Sequence, residues 1–171
     1  EAAREGCAAV RAGLGGASPD LAVVFATPDL MANAAGIAAI IGRELAPGAL
    51  IGCTAEGVIG TGHEAEAPPG LSLWAACLPG VAVEAFALEP SVAPDGEVTL
   101  SGWPPHVEPA APEGLASGDA VVLLADPFSF PPSALHGADG LPARRPVIGG
   151  MASGATAPGG HRLLQIGRAH V

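Results

Sequence analysis

Two short glycine-containing stretches carry the residues best suited to ligand chemistry. They read ALIGCTAEG over residues 49–57 and PVIGGMASG over residues 146–154. Each is an apolar run followed by small residues, a composition that lets backbone N–H groups converge on an anionic ligand group. Thr54 and Ser153 could add hydroxyl donors, and Glu56 could meet the ammonium group of a zwitterion. The predicted ligand-binding residues are Gly52, Cys53, Thr54, Glu56, Gly57, Gly149, Gly150, Ser153 and Gly154.

Cys53 is also a candidate nucleophile, because it ends an apolar run beside Thr54 and Glu56. The stretch lacks the G-x-S-x-G pattern of a nucleophile elbow, and no histidine is assigned as its base. A small buried thiol is the favoured interpretation, and no catalytic residue is predicted. A Cys-dependent enzyme that uses Cys53 stays open as an alternative.

The remaining candidate ligands give no recognised metal or nucleotide pattern. Residues 63–66 read HEAE, which is not H-E-x-x-H, and they fall in residues 61–70, a predicted irregular connection. Neither glycine stretch fits G-x-G-x-x-G or the P-loop, which needs a lysine that this chain lacks. We therefore predict no metal site. His106, His136 and His161 are interpreted as solvated loop histidines, with an axial haem ligand as the alternative for any of them.

The two glycine stretches occupy corresponding places in two similar segments, which predicts an internal duplication. Residues 20–28 read DLAVVFATP, and residues 119–127, about a hundred positions later, read DAVVLLADP. Each is a buried strand that ends at a capping residue and Pro. After the first strand, one helical face is formed by Leu30, Ala34, Ile37, Ile41 and Leu45. Strand–helix–strand units of this kind predict parallel strands, so both glycine loops would face one crevice.

The other segments predict additions to this sheet. Residues 71–78 and 81–88 flank a Pro-Gly pair, which indicates an antiparallel hairpin. Residues 89–118 hold six prolines and are predicted to connect the repeats, with residues 98–103 packing back onto the domain. A short helix is predicted over residues 133–138. Trp74 and Trp103 are interpreted as core residues.

The predicted fold class is therefore α/β, with a mixed, mainly parallel sheet and flanking helices. It consists of two strand–helix–strand–glycine-loop repeats, of which the second is unfinished. The final residues, 165–171, read QIGRAHV, which matches the translation of a common sequencing-library adapter. We predict that they are a non-native tail, which is left out of the fold and site predictions, and that residues 1–164 form a ligand-binding domain incomplete at both ends. A signal peptide before Glu1 stays open.

Composition excludes several partner classes. The formal net charge is −10 and no basic cluster is present, so the cationic footprint of a nucleic-acid-binding protein is missing. The same charge disfavours an anionic membrane surface, and no apolar run approaches the roughly 20 residues of a membrane-spanning helix. The three cysteines are widely spaced and odd in number, which favours a reducing cytoplasm.

Several of these sequence segments resemble the N-terminal domain of FIST proteins, which are bacterial intracellular sensory proteins. They are DLAVVFATP, IGCTAEGVIG, LADPFSF and PVIGGMASG followed by GGHRLL, and the similarity covers nearly all of residues 1–164. His161 departs from the family pattern, which has Asn there. The resemblance implies a sensory domain, not an enzyme, that binds a small ligand such as an amino acid.

The resemblance also implies a signalling partner or a fused output domain, and a C-terminal FIST companion domain that is absent from this chain. No cofactor is expected for an amino-acid sensor. Some members of the family bind haem and sense nitric oxide, so a haem-binding gas sensor is the alternative function.

Overall fold

The computed structural model describes residues 1–65, 69–96, 98–104, 120–131 and 146–167. It confirms a mixed α/β fold, in which the chain divides into two compact units. The first unit comprises residues 1–85 and 152–171, and the second comprises residues 86–151. The elements are, in chain order, α1 (Ala2–Gly13), β1 (Leu21–Ala26), α2 (Pro28–Met31), α3 (Ala34–Leu45), β2 (Ala49–Thr54), β3 (Val58–Gly60), β4 (His63–Ala65), β5 (Leu71–Ala76), β6 (Glu89–Val92), β7 (Val98–Ser101), β8 (Val121–Ala125), β9 (Val147–Met151) and β10 (Leu163–Gly167).

A four-stranded sheet in the order β10-β2-β1-β5 forms the centre of the first unit. The two central strands, β1 and β2, are parallel as predicted, because a helical crossover joins them. The outer strands, β5 and β10, are both antiparallel to their neighbours, so the sheet is mixed and parallel pairing is confined to its centre. Within the described part of the chain, no helix is long and apolar enough to cross a membrane.

Helix α3 and its short predecessor α2 bury the predicted apolar face against this sheet. Ile37, Ile41 and Leu45 are buried, and Leu30 and Ala34 are partly buried beside them. The same core includes Ala22, Val24, Ala26 and Leu50 from the central strands and Ala3 and Cys7 from α1. The helix ends where Ala46 adopts a left-handed conformation with φ of 47° and Pro47 follows, since proline cannot continue the helix.

Two predictions between β2 and β6 are wrong. Residues 61–70 were expected to be irregular, but residues 63–65 form β4, which pairs with the preceding strand β3 in a short antiparallel hairpin. Residues 81–88 were expected to pair with β5, but they form no strand, and the hairpin that follows consists of β6 and β7. The apolar residues of 81–88 suggested a strand, but Phe86 and Leu88 pack against the core of the second unit without forming strand hydrogen bonds.

The second unit contains the parallel strands β8 and β9 and a smaller core, to which β8 contributes Leu123 and Ala125. Leu100, Trp103, Ala125 and Phe130 are buried in it, which confirms that residues 98–103 pack back onto the fold. The Phe86 and Trp103 rings lie 5.6 Å apart, centre to centre. Trp74, in contrast, is 54% exposed in the first unit, so its interpretation as a core residue is wrong.

Asp126 follows β8 and caps the next turn, as predicted. Its Oδ1 accepts a hydrogen bond from the Phe128 N–H at 3.0 Å, and its Oδ2 accepts one from the Ser129 hydroxyl at 3.3 Å. The helix predicted over residues 133–138 lies outside the described residues.

The internal duplication stays a prediction, although one local correspondence supports it. Val24 of β1 lies opposite Gly52 of β2, and Leu123 of β8 lies opposite Gly149 of β9, so the glycines hold matching register positions. The non-native origin of residues 165–171 also stays a prediction. Residues 165–167 form the end of β10 and pair with β2.

Candidate functional site

The carboxyl end of β2 contacts the end of the second glycine stretch, which the chain reaches about a hundred residues later. The Ser153 N–H donates to the Thr54 carbonyl at 3.0 Å, and the Glu56 N–H donates to the Ser153 hydroxyl oxygen at 3.0 Å. Gly154 is close as well, because a Cβ there would lie 3.1 Å from the Glu56 Cα. We call Thr54, Glu56, Ser153 and Gly154 the loop contact. All four were predicted from the sequence to share a site.

The backbone N–H groups of Thr54, Glu56 and Ser153, three residues of the loop contact, already have protein acceptors. The Thr54 N–H donates to the Arg162 carbonyl at 3.0 Å, and the neighbouring Ala55 N–H donates to the Ala26 carbonyl at 2.9 Å. The Glu56 and Ser153 N–H groups are used in the loop contact itself. The expected anion cradle is therefore taken up by hydrogen bonds within the fold. Glu56 and Ser153 are both exposed, so the contact presents a carboxylate and a hydroxyl to solvent.

The Thr54 hydroxyl, predicted as a ligand donor, ties β2 to the start of β10. It accepts from the Arg162 N–H at 2.6 Å and donates to the Arg162 carbonyl at 3.2 Å. Thr54 is only 1% exposed. In an antiparallel ladder the Arg162 N–H would donate to a backbone carbonyl, and here the side-chain hydroxyl takes that place as the chain leaves the strand. Its role in the structure is to close the sheet edge.

Thr27 makes the same arrangement at the end of β1, which the sequence reading missed. Its hydroxyl oxygen accepts from the Gly70 N–H at 3.1 Å, and its N–H donates to the Gly70 carbonyl at 3.0 Å. Thr27 was expected to cap the following helix, but no side-chain capping bond forms. The available signal was a threonine at the end of each apolar run that forms β1 and β2. We call Thr27 and Thr54 the threonine clamps.

Cys53 and Gly52 are buried where β2 pairs with its neighbours. Cys53 is 3% exposed, and burial raises the pKa of its thiol to about 11. A nucleophilic cysteine needs an accessible thiolate, so the structure supports the interpretation of Cys53 as a small buried side chain. A Cβ at Gly52 would collide with the Val24 carbonyl oxygen, so this glycine permits close strand packing. Gly57 is exposed.

Gly149 and Gly150, the other predicted site residues, line a groove in the second unit. The groove has a volume of about 260 Å³. Its described lining is formed by Leu123, Ala125, Val147, Ile148, Gly149, Gly150 and Met151. The predicted residues therefore fall into two sets, seven in the first unit and two in this groove.

His161 is 7% exposed, so its interpretation as a solvated histidine is wrong. Its Nε2 accepts a hydrogen bond from the Ala155 N–H at 3.3 Å. Because that nitrogen is engaged, His161 does not fit as an axial ligand for haem iron through Nε2. His106 and His136 lie outside the described residues. Among the residues that the structure describes, no group of three or more His, Cys, Asp or Glu side chains is placed to hold a metal ion.

Comparison with known proteins finds relatives that are longer than this chain and that align with it over only part of their length. The chain is 32% identical over 166 residues to the uncharacterized protein Rv0628c of Mycobacterium tuberculosis (strain ATCC 25618 / H37Rv), which is 96% of this chain and 40% of that protein. It is 30% identical over 167 residues to the uncharacterized protein Mb0898c of Mycobacterium bovis, with the same coverage. The chain thus spans about 40% of the length of these curated relatives. No solved structure matches it.

The sequence model of the FIST N domain matches residues 20–170, which is most of the chain. That range includes both parallel strand pairs, the threonine clamps and the loop contact. The similarity noted from the glycine stretches is therefore confirmed over a continuous alignment. The chain belongs to the FIST N domain family, a family of sensory domains.

Proposed function

We propose that this chain is the ligand-binding part of a longer cytoplasmic protein that senses a small molecule and signals to a partner or a fused output domain. Its membership of a sensory family supports the first half of this proposal. The greater length of its relatives supports the second, since the matched region is 40% of each. The domain acts by binding, without catalysing a reaction and without a cofactor.

The observation that carries the proposal is the loop contact. In open α/β sheets, ligands bind beyond the carboxyl ends of parallel strands, and the loop contact lies at the carboxyl end of β2. It joins two chain segments that are distant in sequence, so a ligand bound there would stabilise their association. That coupling gives a ligand a means of changing the structure around it.

The chemistry of the contact suits the ammonium group of an amino acid. Four backbone N–H groups that would hold a carboxylate are engaged within the fold, whereas the Glu56 carboxylate is exposed and can accept hydrogen bonds. The net charge of −10 also attracts cations and repels anions. Small neighbours, Gly57 and Gly154, leave room beside the carboxylate. An amino acid would be held mainly through its ammonium group.

Calorimetric titration with the standard amino acids, methylamine and N-acetylalanine tests this proposal. Glu56→Gln removes the charge at nearly constant size, and we expect it to weaken the tightest amino acid by roughly 10- to 100-fold. The matched control is Glu5→Gln, which removes an exposed carboxylate from α1 and should leave affinity unchanged. An amino acid that binds equally to wild type and Glu56→Gln would contradict the proposed site.

A further inference from the structure

We propose that Arg162 binds the carboxylate of an α-amino acid whose ammonium group is held by Glu56. This inference rests on the proposed function and adds an anion-binding half to the same site. An amino acid carries both charges at neutral pH, so its carboxylate also needs a partner when it leaves water. The backbone N–H groups of Thr54, Glu56 and Ser153 are already used within the fold, and the carboxylate therefore needs a different donor.

The fold attaches Arg162 directly to the loop contact through Thr54. The Thr54 carbonyl accepts a hydrogen bond from the Ser153 N–H at 3.0 Å, and the Thr54 hydroxyl accepts one from the Arg162 N–H at 2.6 Å. Both ends of the segment 153–162 therefore meet the same threonine. Glu56 follows two residues after Thr54, so the Cα atoms of these two residues lie at most about 7 Å apart. Arg162 is thus fixed to the strand end that carries Glu56.

The guanidinium group of Arg162 is oriented by the loop that precedes it. Its Nη1 donates to the Gly159 carbonyl at 2.6 Å and to the His161 carbonyl at 2.9 Å. Within the described part of the chain, its Nε–H and Nη2 N–H groups have no acceptor. These groups form the edge of a guanidinium that binds a carboxylate through two parallel hydrogen bonds. Because Nη1 is already held, the side chain would lose little freedom when that edge binds a ligand.

The charges of Arg162 and Glu56 are not used by other described side chains. Both residues are exposed, and they form no ion pair with each other or with any other residue that the structure describes. The other described arginines contact Glu44, near the end of α3; they are Arg4, Arg11 and Arg43. Helix α3 leads into the start of β2, whereas the loop contact lies at the end of that strand. A molecule with one charge of each sign therefore has both of its partners at the loop contact.

Calorimetric titration of the standard amino acids and their α-carboxamides tests this inference, because each amide keeps the ammonium group and lacks the carboxylate charge. We expect wild type to bind the tightest amino acid of the panel roughly tenfold more tightly than its amide. Arg162→Gln should weaken the amino acid roughly tenfold and leave its amide unchanged. The matched control is Arg4→Gln, which removes the same charge from α1 and should leave both affinities unchanged.

The inference is overturned if wild type binds the amide as tightly as the amino acid, or if Arg162→Gln weakens both compounds equally or neither of them. In the last case, weaker binding by Glu56→Gln would leave the proposed function standing without the carboxylate site. If no amino acid binds to wild type, both proposals fail. Should Arg162→Gln fail to fold by circular dichroism, the Arg162 Nε–H signal of ¹⁵N-labelled wild type decides the question. It should shift with the amino acid and not with its amide, and equal shifts would overturn the inference.

Discussion

The parallel pairs β1–β2 and β8–β9 have the same glycine position but different surroundings. Gly52 lies opposite Val24 and Gly149 lies opposite Leu123, and a Cβ on either glycine would collide with the carbonyl oxygen of the residue opposite. The β1–β2 pair is bordered on both edges by antiparallel strands. The β8–β9 pair has no further strand within the described residues, and an apolar groove runs along β9.

This difference shows that a glycine stretch alone does not determine whether its backbone can reach a ligand. At the ends of β1 and β2, the threonine clamps and the loop contact use polar backbone groups internally. Within β9, a Cβ at Gly150 would meet open space. The neighbouring elements therefore determine whether a glycine stretch is closed off by hydrogen bonds within the fold or leaves its backbone accessible.

The largest expected effect in this comparison comes from Gly52→Ala. The added Cβ would meet the Val24 carbonyl oxygen in the middle of the sheet, so we expect the free energy of unfolding to fall by about 3 kcal/mol. Urea denaturation would measure the change. Gly150→Ala should alter stability by less than about 0.5 kcal/mol, and Gly42→Ala, in α3, should raise it by about 0.5 to 1 kcal/mol. Equal stability of Gly52→Ala and Gly150→Ala would remove the distinction between the closely packed Gly52 and the open Gly150.

The next effect is an alkaline loss of stability from Cys53. Burial holds the folded-state pKa at about 11, above the ordinary value of 9.0, so the unfolded chain loses its proton first as pH rises. The contribution of the buried Cys53 thiol to the free energy of unfolding is fully present below pH 9, and about 2 to 3 kcal/mol of it is lost by pH 11. Cys53→Ala should flatten this part of the pH profile, measured by urea denaturation. Cys7, whose pKa burial also raises, accounts for the remaining slope.

A smaller effect separates the two threonine clamps. Thr54→Val removes the acceptor of the buried Arg162 N–H and should cost about 2 kcal/mol, whereas Thr27→Val should cost about 1 kcal/mol because its hydroxyl bonds are longer. Amide hydrogen exchange gives a local readout. Exchange at Arg162 should accelerate only in Thr54→Val, and exchange at Gly70 only in Thr27→Val. If neither amide responds, the hydroxyls do not act as ladder acceptors.

The spacing of apolar residues along the chain correctly predicted the buried strand β1 and the helix α3. The run before Ala26 and the spacing of Ile37 and Ile41 predicted β1 and α3, because a strand or helix buried in a sheet domain repeats its apolar pattern. Residues 81–88 were wrongly predicted to form a strand. Their apolar residues pack in a core without strand pairing, and the spacing of apolar residues does not distinguish a paired strand from an irregular segment that packs in a core.

The sequence predicted the residues of the loop contact but not their chemistry. Ser153 and Glu56 were expected together, and the loop contact joins them. The role of Thr54 was not predictable, since a hydroxyl beside a glycine loop serves a ligand or a strand equally well. Its partner, Arg162, is 108 residues away in sequence. Only the fold places that N–H against the hydroxyl.

The most direct test of the proposed function is an amide NMR titration of the wild-type chain with the tightest-binding amino acid, repeated with its N-acetylated form. The account predicts shifts at Glu56, Gly57, Ser153 and Gly154 and none along β9, and it predicts that removing the ammonium group by acetylation abolishes them. Shifts confined to Gly149 and Gly150, or equal shifts from the acetylated compound, would contradict it.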